Sequence, residues 1–290
     1  MNDFAAPFAI NLALALLTAV LWVLVAFAVG RIRRRHATID VFWGAGFLAI
    51  YLESLWFSQW RSSDCAHPWF GQTFSSGHAR WVLVFVVALW SLRLSGYLAF
   101  RQRGAQEDPR YLYIMRAAKG HNETLFALRR IYLLQAVLMW FISIPLQYIA
   151  FAPRFSGPWV VVGVALILLG VVFEATGDEQ LRRFLADDAN KGVTMSRGLW
   201  RYTRHPNYFG DAVVWWGIFA VAVSTGWGAL SVLSPLLMTR LLTSISGKPL
   251  LEGKLKKTRA GYEQYVASTS SFFPWPPRNS EFPQPQRQPH

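Results

Sequence analysis

The chain has 290 residues, of which 53% are apolar and only 16% are charged, whereas an average soluble domain has about 25% charged residues. This excess of apolar surface excludes an intrinsically disordered chain, and the single cysteine excludes a disulfide-rich secreted scaffold. Lys and Arg number 29 against 16 Asp and Glu. The resulting net charge of +13 is typical either of a soluble nucleic-acid-binding protein or of a membrane protein with basic cytoplasmic loops.

Seven apolar segments are long enough to cross a bilayer, whose hydrocarbon core takes about 20 residues of helix. The first segment is too long for a cleaved signal peptide, and no basic stretch precedes it. We therefore predict an all-α polytopic integral membrane protein with about seven transmembrane helices, in one membrane domain over residues 1–275. A disordered tail rich in Pro and Gln is predicted at 276–290. The predicted spans lie roughly at 8–29, 39–57, 81–100, 131–150, 158–177, 207–224 and 227–245.

The cations alternate between the segments that join these spans. Four lie in 30–38, seven in 101–130, six in 178–206 and eight from Arg240 to the end, whereas the opposite loops hold only Arg61, Arg80 and Arg154. The positive-inside rule then places the N-terminus outside and the C-terminus in the cytoplasm. Because topology explains the charge, no nucleic-acid partner is predicted. Within the second basic loop, the segment 109–122 is expected to lie on the membrane surface as a short interfacial helix.

Ionisable residues inside spans are costly and are therefore functional candidates. Asp40, Arg93, Glu174 and Asp211 all fall in the cytoplasmic halves of predicted spans, which predicts a polar cavity open to the cytosol. The alternative is that these side chains reach the lipid headgroups, which is easy for Arg and difficult for the short carboxylates. Gly44, one turn after Asp40, permits the close approach of a second helix or of a ligand.

The densest polar pattern runs from Arg197 to Asp211. Three arginines and His205 precede Pro206, a residue suited to the first position of a helix. The N–H groups and the dipole of that helix start, together with Arg204, predict a phosphate or carboxylate site. The alternative is a basic cluster beside the membrane that holds anionic lipid.

Other chemistries lack the residues they need. One cysteine and six scattered histidines give no predicted metal site, and the sequence has no Walker motif and no G-x-G-x-x-G loop. A nucleophile elbow is also missing, and no inverted repeat of the kind found in transporters is evident. By contrast, Glu174, Asp178 and Arg182 recur at every fourth position and share one face of the fifth predicted helix.

The chain resembles a superfamily of membrane enzymes at the motif Arg201-Tyr202-x-Arg204-His205-Pro206-x-Tyr208-x-Gly210. That superfamily includes steroid 5α-reductases, sterol C14- and C7-reductases and isoprenylcysteine carboxyl methyltransferases. Over about residues 38–277, the chain looks more specifically like the bacterial steroid 5α-reductase-like proteins. The further motifs that resemble them are Asp40-x-x-Trp43-Gly44, Arg93-Leu94-x-x-Tyr97, Glu174-x-x-x-Asp178 and Gly261-Tyr262-x-x-Tyr265.

The resemblance implies a protein of the bacterial inner membrane whose active site faces the cytoplasm. It implies that the chain binds NADPH in a cofactor half at about 158–275 and reduces a C=C bond conjugated to a ketone in a steroid-like lipid. The group that activates the carbonyl is implied to be Asp40 or Tyr97, since Trp90 stands where the animal enzymes have their catalytic tyrosine. The residues implied to bind the cofactor are Arg93, Glu174, Asp178, Arg182, Trp200, Tyr202, Arg204, His205, Asn207, Tyr208, Asp211, Lys248, Glu252 and Tyr262.

Two other classes of function stay open from the sequence. The first is an S-adenosylmethionine-dependent methyltransferase that uses the same Arg204-His205-Pro206 platform, although the pair Glu174 and Asp178 favours the larger dinucleotide. The second is a non-enzymatic protein that binds or transports membrane lipid. The many arginines favour NADPH over NADH, because a guanidinium accommodates the 2′-phosphate. The sequence leaves the substrate and the oligomeric state open.

Overall fold

A computed structural model gives the fold for residues 2–63, 74–120, 122–152, 157–245, 252–253, 255–256, 258–259 and 261–278. The fold is all-α, which confirms the predicted fold class. The helices, numbered in chain order, are α1 Asn2–Arg33, α2 Thr38–Ser63, α3 Phe74–Arg101, α4 Pro109–Arg116, α5 Glu123–Ala127, α6 Leu134–Ile142, α7 Ile144–Phe151, α8 Pro158–Ala186, α9 Pro206–Val223, α10 Leu233–Arg240 and α11 Tyr262–Ser268.

Six helical stretches of the described chain are long and apolar enough to cross a membrane. The protein is therefore a multi-pass integral membrane protein. The predicted sixth span, at 207–224, is helix α9, whose 18 residues are not among the six. Asn207 and Asp211 lie near its start, where two polar residues lower the mean hydropathy of so short a helix. The six stretches are Ala5–Arg33, Thr38–Trp60, Ala79–Arg101, Glu123–Ile142, Pro158–Ala186 and Trp227–Ile245.

The fourth span differs from its predicted range of 131–150. It begins at Glu123, where the Asn122 side chain accepts a hydrogen bond from the backbone N–H of Leu125 at 3.0 Å and so caps the helix. A π-helical segment joins α5 to α6, and the stretch ends at Ile142. Helix α7 follows directly, with Pro145 in its first turn. Since proline lacks an N–H to bond to the preceding turn, the chain bends there instead of continuing as one helix.

The chain divides into two compact units. The first unit contains Met1–Val164 and Ile218–Ser234, and the second contains Ala165–Gly217 and Pro235–His290. In the first unit, α2 packs against both α1 and α3. The main chains of α2 and α3 approach closely at Gly44, where an added Cβ would lie 2.5 Å from the carbonyl oxygen of Ser91. Gly44 is thus a helix-packing glycine, which is one of the two roles that the sequence predicted for it.

Candidate functional site

In the second unit, helices α8 and α9 touch through glycines. A Cβ added to Gly210 would lie 2.7 Å from the backbone nitrogen of Glu174 and 2.7 Å from the carbonyl oxygen of Gly170. One turn further along, a Cβ on Gly177 would lie 3.0 Å from the ring of Pro206. Small residues at these positions let the two main chains meet. The contact places Glu174 of α8 beside Gly210, the residue that precedes Asp211.

Three carboxylates are buried near this contact. Glu174 and Asp178 are 3% exposed and Asp211 is 7% exposed. The first two lie one turn apart on α8, on the shared face that the sequence predicted. Ionisable residues buried in apolar helices are rare and commonly mark functional sites. This part of the second unit is therefore a candidate binding site for a polar group.

A second polar group surrounds the start of α9, and we call it the Arg204 cluster, formed by Arg204, His205 and Glu252. The Glu252 Oε1 atom lies 3.1 Å from Nε of Arg204 and 3.0 Å from Nε2 of His205. The His205 ring also stacks on Tyr208, with 5.2 Å between centroids and 6° between planes. Each member of the cluster is at most 13% exposed in its side chain. The cluster therefore fixes the position of the first turn of α9.

Hydrogen bonds to main-chain carbonyls join the chain around α11 to the predicted motif at the start of α9. The Arg204 guanidinium donates to the carbonyl oxygen of Val266 at 2.9 Å, and the Tyr265 hydroxyl donates to that of Trp200 at 2.5 Å. Two more hydrogen bonds join these segments. Thr203 Oγ1 donates to the Phe272 carbonyl at 2.8 Å, and the Trp275 N–H donates to the Tyr202 carbonyl at 3.0 Å. Trp200 is itself held to α8, since its Nε1 donates to the Gly177 carbonyl at 2.9 Å.

The remaining residues predicted to bind the cofactor in this half occupy different surroundings. Arg182 lies on the surface, where its Nε and Nη2 donate to the Glu179 carboxylate at 2.6 and 2.8 Å. Asn207 is half-buried, and its side-chain oxygen accepts from the Tyr208 N–H at 3.1 Å. Tyr262 is buried, and both this burial and the charge of Glu252 raise the pKa of its phenol. Lys248 lies outside the described residues.

In the first unit, Asp40 belongs to a polar cluster that sequence reasoning missed. Its Oδ2 accepts from Nη2 of Arg110 at 2.7 Å, and its Oδ1 accepts from the Tyr111 hydroxyl at 2.6 Å. Nε of Arg110 also donates to Asp108 at 3.0 Å. Burial and the charge of Asp40 raise the pKa of Tyr111 well above its usual value. The phenol therefore keeps its proton and serves as a hydrogen-bond donor.

The α4 helix that carries Arg110 and Tyr111 begins with a recognisable signal. Asp108 caps it by accepting from the Arg110 N–H at 2.8 Å, and Pro109 occupies its first turn. The predicted interfacial segment 109–122 is thus helical over Pro109–Arg116, with Leu112 and Tyr113 exposed and Tyr111 turned inward. The cap pattern Asp-Pro could have located the helix, but not the partner of Arg110.

The loop before α4 is held against the loop between α1 and α2. The Glu107 carboxylate accepts from the backbone N–H of His36 and, at 2.9 Å, from that of Ala37. In addition, Gln102 Nε2 donates to the Ala37 carbonyl at 2.7 Å. Burial lowers the pKa of His36, and although Glu107 opposes this effect, Arg31 adds to it. These contacts hold the start of α2, and with it Asp40, in place.

The other two first-unit residues predicted from the sequence lie on α3. Arg93 and Tyr97 are both half-buried and stand one helical turn apart. The guanidinium of Arg101 lies 5.8 Å from the centroid of the Tyr97 ring, within the range of a cation–π contact. The hydroxyl that donates to Asp40 is that of Tyr111, which the sequence had marked only as part of an interfacial segment.

Fold and site together define an all-α, multi-pass membrane protein with buried ionisable groups beside helix ends. A protein family described as a protein of unknown function (DUF1295) matches residues 26–269. The match covers most of the chain, so the chain belongs to this family. A search of curated proteins and a search of solved structures gave no match.

Proposed function

We propose that this protein is an NADPH-dependent reductase of a C=C bond conjugated to a ketone in a steroid-like or other enone lipid. The DUF1295 family is loosely related to the steroid 5α-reductase and isoprenylcysteine methyltransferase-like families. The observation that carries the proposal is the second unit's group of buried carboxylates beside the Arg204 cluster. A protein that only anchors lipid has no need of three such groups away from water.

The residues of the second unit suit a dinucleotide. Carboxylates accept hydrogen bonds from ribose hydroxyls and from the N–H groups of a carboxamide, so Glu174, Asp178 and Asp211 would hold those parts of NADPH. Arg204 and His205 are engaged with Glu252, and their role is to position the first turn of α9 with Asn207. When bound, a reduced nicotinamide supplies a hydride for the β-carbon of an enone.

The protein's own part in the reaction is to stabilise the charge that develops on the ketone oxygen, and a hydrogen-bond donor does this. The enolate would then take a proton from water at its α-carbon, which completes the saturated ketone. The family resemblance implies Asp40 or Tyr97 as this donor. Both oxygens of Asp40 already accept hydrogen bonds, one of them from a guanidinium. That arrangement favours Tyr97 as the donor and gives Asp40 the task of holding Arg110 and Tyr111.

The test is a binding measurement on the full-length protein in lipid nanodiscs. NADPH is expected to bind and to raise the melting temperature, and reduced nicotinamide absorbance should fall when an enone steroid is added. We expect Asp211→Asn and Glu174→Gln each to weaken NADPH binding about tenfold or more. Glu263→Gln is the matched control, because Glu263 is an exposed acid of the same unit.

Two outcomes would refute the proposal. One is that NADPH leaves the melting temperature unchanged while S-adenosylmethionine raises it, which would make the protein a methyltransferase. The other is that neither compound binds and the Asp211→Asn variant keeps whatever lipid-binding function is measured. That second result is what a non-enzymatic lipid-binding protein predicts.

A further inference from the structure

The second unit contains a cavity of about 360 Å³ that the site described above does not use. Its volume lies near the lower end of the range for small-molecule sites, about 300–1,000 Å³, and it exceeds what a bare phosphate needs. The lining residues are Leu185, Asn190, Lys191, Gly192, Thr258 and Arg259. Two of them are cations, two carry an amide or a hydroxyl, and the described lining has no acid.

The sequence builds this cavity where α8 ends. The Asn190 side chain donates to the Phe184 carbonyl at 2.9 Å, which satisfies one of the last carbonyls of the helix. Gly192 then adopts a φ of +78°, a conformation that glycine takes without strain, and the chain turns back there. Arg259 joins the segment 258–259 to the segment 190–193 across the cavity. Its Nη1 lies 3.5 Å from the Asn190 carbonyl oxygen and 3.2 Å from that of Val193.

The charge of Arg259 is not neutralised by the described part of the chain. Its side-chain hydrogen bonds there go to main-chain carbonyls and use only Nη1. The Nε and Nη2 atoms therefore keep the geometry with which a guanidinium binds two phosphate oxygens at once. Lys191 pairs with Asp188 at 2.8 Å, but both side chains are at least 80% exposed, and such surface pairs are weak.

We infer that this cavity binds a phosphate monoester attached to a nucleoside. Resting on the proposed function, the ligand is the adenosine 2′-phosphate of NADPH. Arg259 would hold two of its oxygens, Lys191 would add a point charge, and Asn190 and Thr258 would bind the sugar. The cavity would then determine the preference for NADPH over NADH, a choice that the motif around α9 does not make.

The experiment measures binding, not turnover, with full-length protein in nanodiscs of phosphatidylcholine. The probes are adenosine 2′,5′-bisphosphate, adenosine 5′-monophosphate, NADPH and NADH. For the wild type we expect the bisphosphate to bind more tightly than the monophosphate. Arg259→Gln should weaken the binding of NADPH and of the bisphosphate about ten- to a hundredfold, and Lys191→Gln, at an exposed position, about two- to fivefold. Both variants should leave NADH affinity within about twofold.

Two further variants keep the inference testable if Arg259→Gln fails to fold. Arg259→Lys retains the charge and can keep one carbonyl bond, but it loses the bidentate geometry, so it should still lose NADPH affinity. Arg278→Gln removes an exposed cation from the same unit that does not line the cavity. This control should bind all four probes as the wild type does.

The outcomes separate this inference from the proposed function. If NADPH binds the wild type and the cavity variants lose NADPH and NADH affinity equally, the inference is wrong and the reductase proposal stands. If NADPH does not bind but the bisphosphate binds in an Arg259-dependent way, the cavity inference stands and the reductase proposal fails. If added phosphatidic acid, and no nucleotide, protects the wild type and not Arg259→Gln from thermal unfolding, the occupant is a lipid headgroup and the inference is overturned.

Discussion

Replacing Gly210 with alanine tests the helix contact on which the candidate site depends. The new Cβ would lie 2.7 Å from two main-chain atoms of α8 and 2.8 Å from Cβ of Glu174. Main-chain atoms cannot rotate away, so the helices must separate by several tenths of an ångström. Overpacking of this kind costs about 1–3 kcal/mol, and the better helix propensity of alanine offsets about 1 kcal/mol. Because the clashing atoms belong to the main chain, the upper end of the overpacking range applies, and we expect the free energy of unfolding to fall by about 2 kcal/mol after the offset.

The assay is thermal unfolding of the full-length protein in detergent, followed by tryptophan fluorescence. We expect Gly210→Ala to melt about 4 °C or more below the wild type. The control is Gly96→Ala, because Gly96 is exposed on α3 and an added Cβ there meets nothing within 4 Å. It should melt at the wild-type temperature or slightly above it. If Gly210→Ala melts with Gly96→Ala, the main chains of α8 and α9 are not in contact, and Glu174 does not lie beside Gly210.

Three more predictions concern the polar clusters. Tyr111→Phe removes the hydroxyl that donates to Asp40 and should lower the free energy of unfolding by about 1–3 kcal/mol. In the same thermal unfolding assay, Tyr113→Phe, at an exposed position, should stay within about 0.5 kcal/mol of the wild type. Glu252→Gln removes the carboxylate shared by Arg204 and His205 and should speed proteolysis of the chain around α11 severalfold. Equal rates of cleavage for Glu252→Gln and the control Glu263→Gln would contradict the assigned contacts. Asp108→Ala should cost about 1 kcal/mol near neutral pH through loss of the α4 cap. Burial alone would raise the pKa of Asp108, but the hydrogen bonds and charge of Arg110 outweigh burial and lower it. The stabilisation by Asp108 is therefore present above the pKa that its carboxyl has in the unfolded chain, and it is lost as pH falls through the lowered pKa of the folded state. The difference in melting temperature between Asp108→Ala and the wild type should then shrink in acid. A difference that grows in acid would refute this assignment.

The length of the apolar segments was enough to predict most of the helices. The predicted helix bounds were wrong where polar residues stand at a helix end. The predicted range 207–224 nearly matches α9, because Pro206 marks its first turn. The fourth span was placed too late because Arg129 and Arg130 made its beginning look like a loop. Long basic side chains extend from a helix end towards water, so a helix can begin well before its apolar part does.

The candidate site was predictable where polar residues stand in an apolar context, as Glu174 and Asp211 do. It was not predictable where the partner lies far along the chain. Arg110 and Asp40 are separated by 70 positions, and nothing in the loop that carries Arg110 distinguishes it from other basic loops. The pairing depends on which two loops the packing of α1, α2 and α3 brings together, and local sequence does not contain that information.

The same reasoning separates the tasks of the cations in the second unit. Arg204, the arginine that looked most suited to a phosphate, is 7% exposed and pairs with Glu252, and Arg182 pairs with Glu179. Breaking a buried ion pair is strongly destabilising, so Arg204 is committed to Glu252, whereas the exposed pair of Arg182 and Glu179 is weak. Arg259 bonds only main-chain carbonyls within the described residues, so its charge is still available to a ligand. A ligand phosphate is therefore expected in the cavity beside Arg259 and not at the motif with the most arginines.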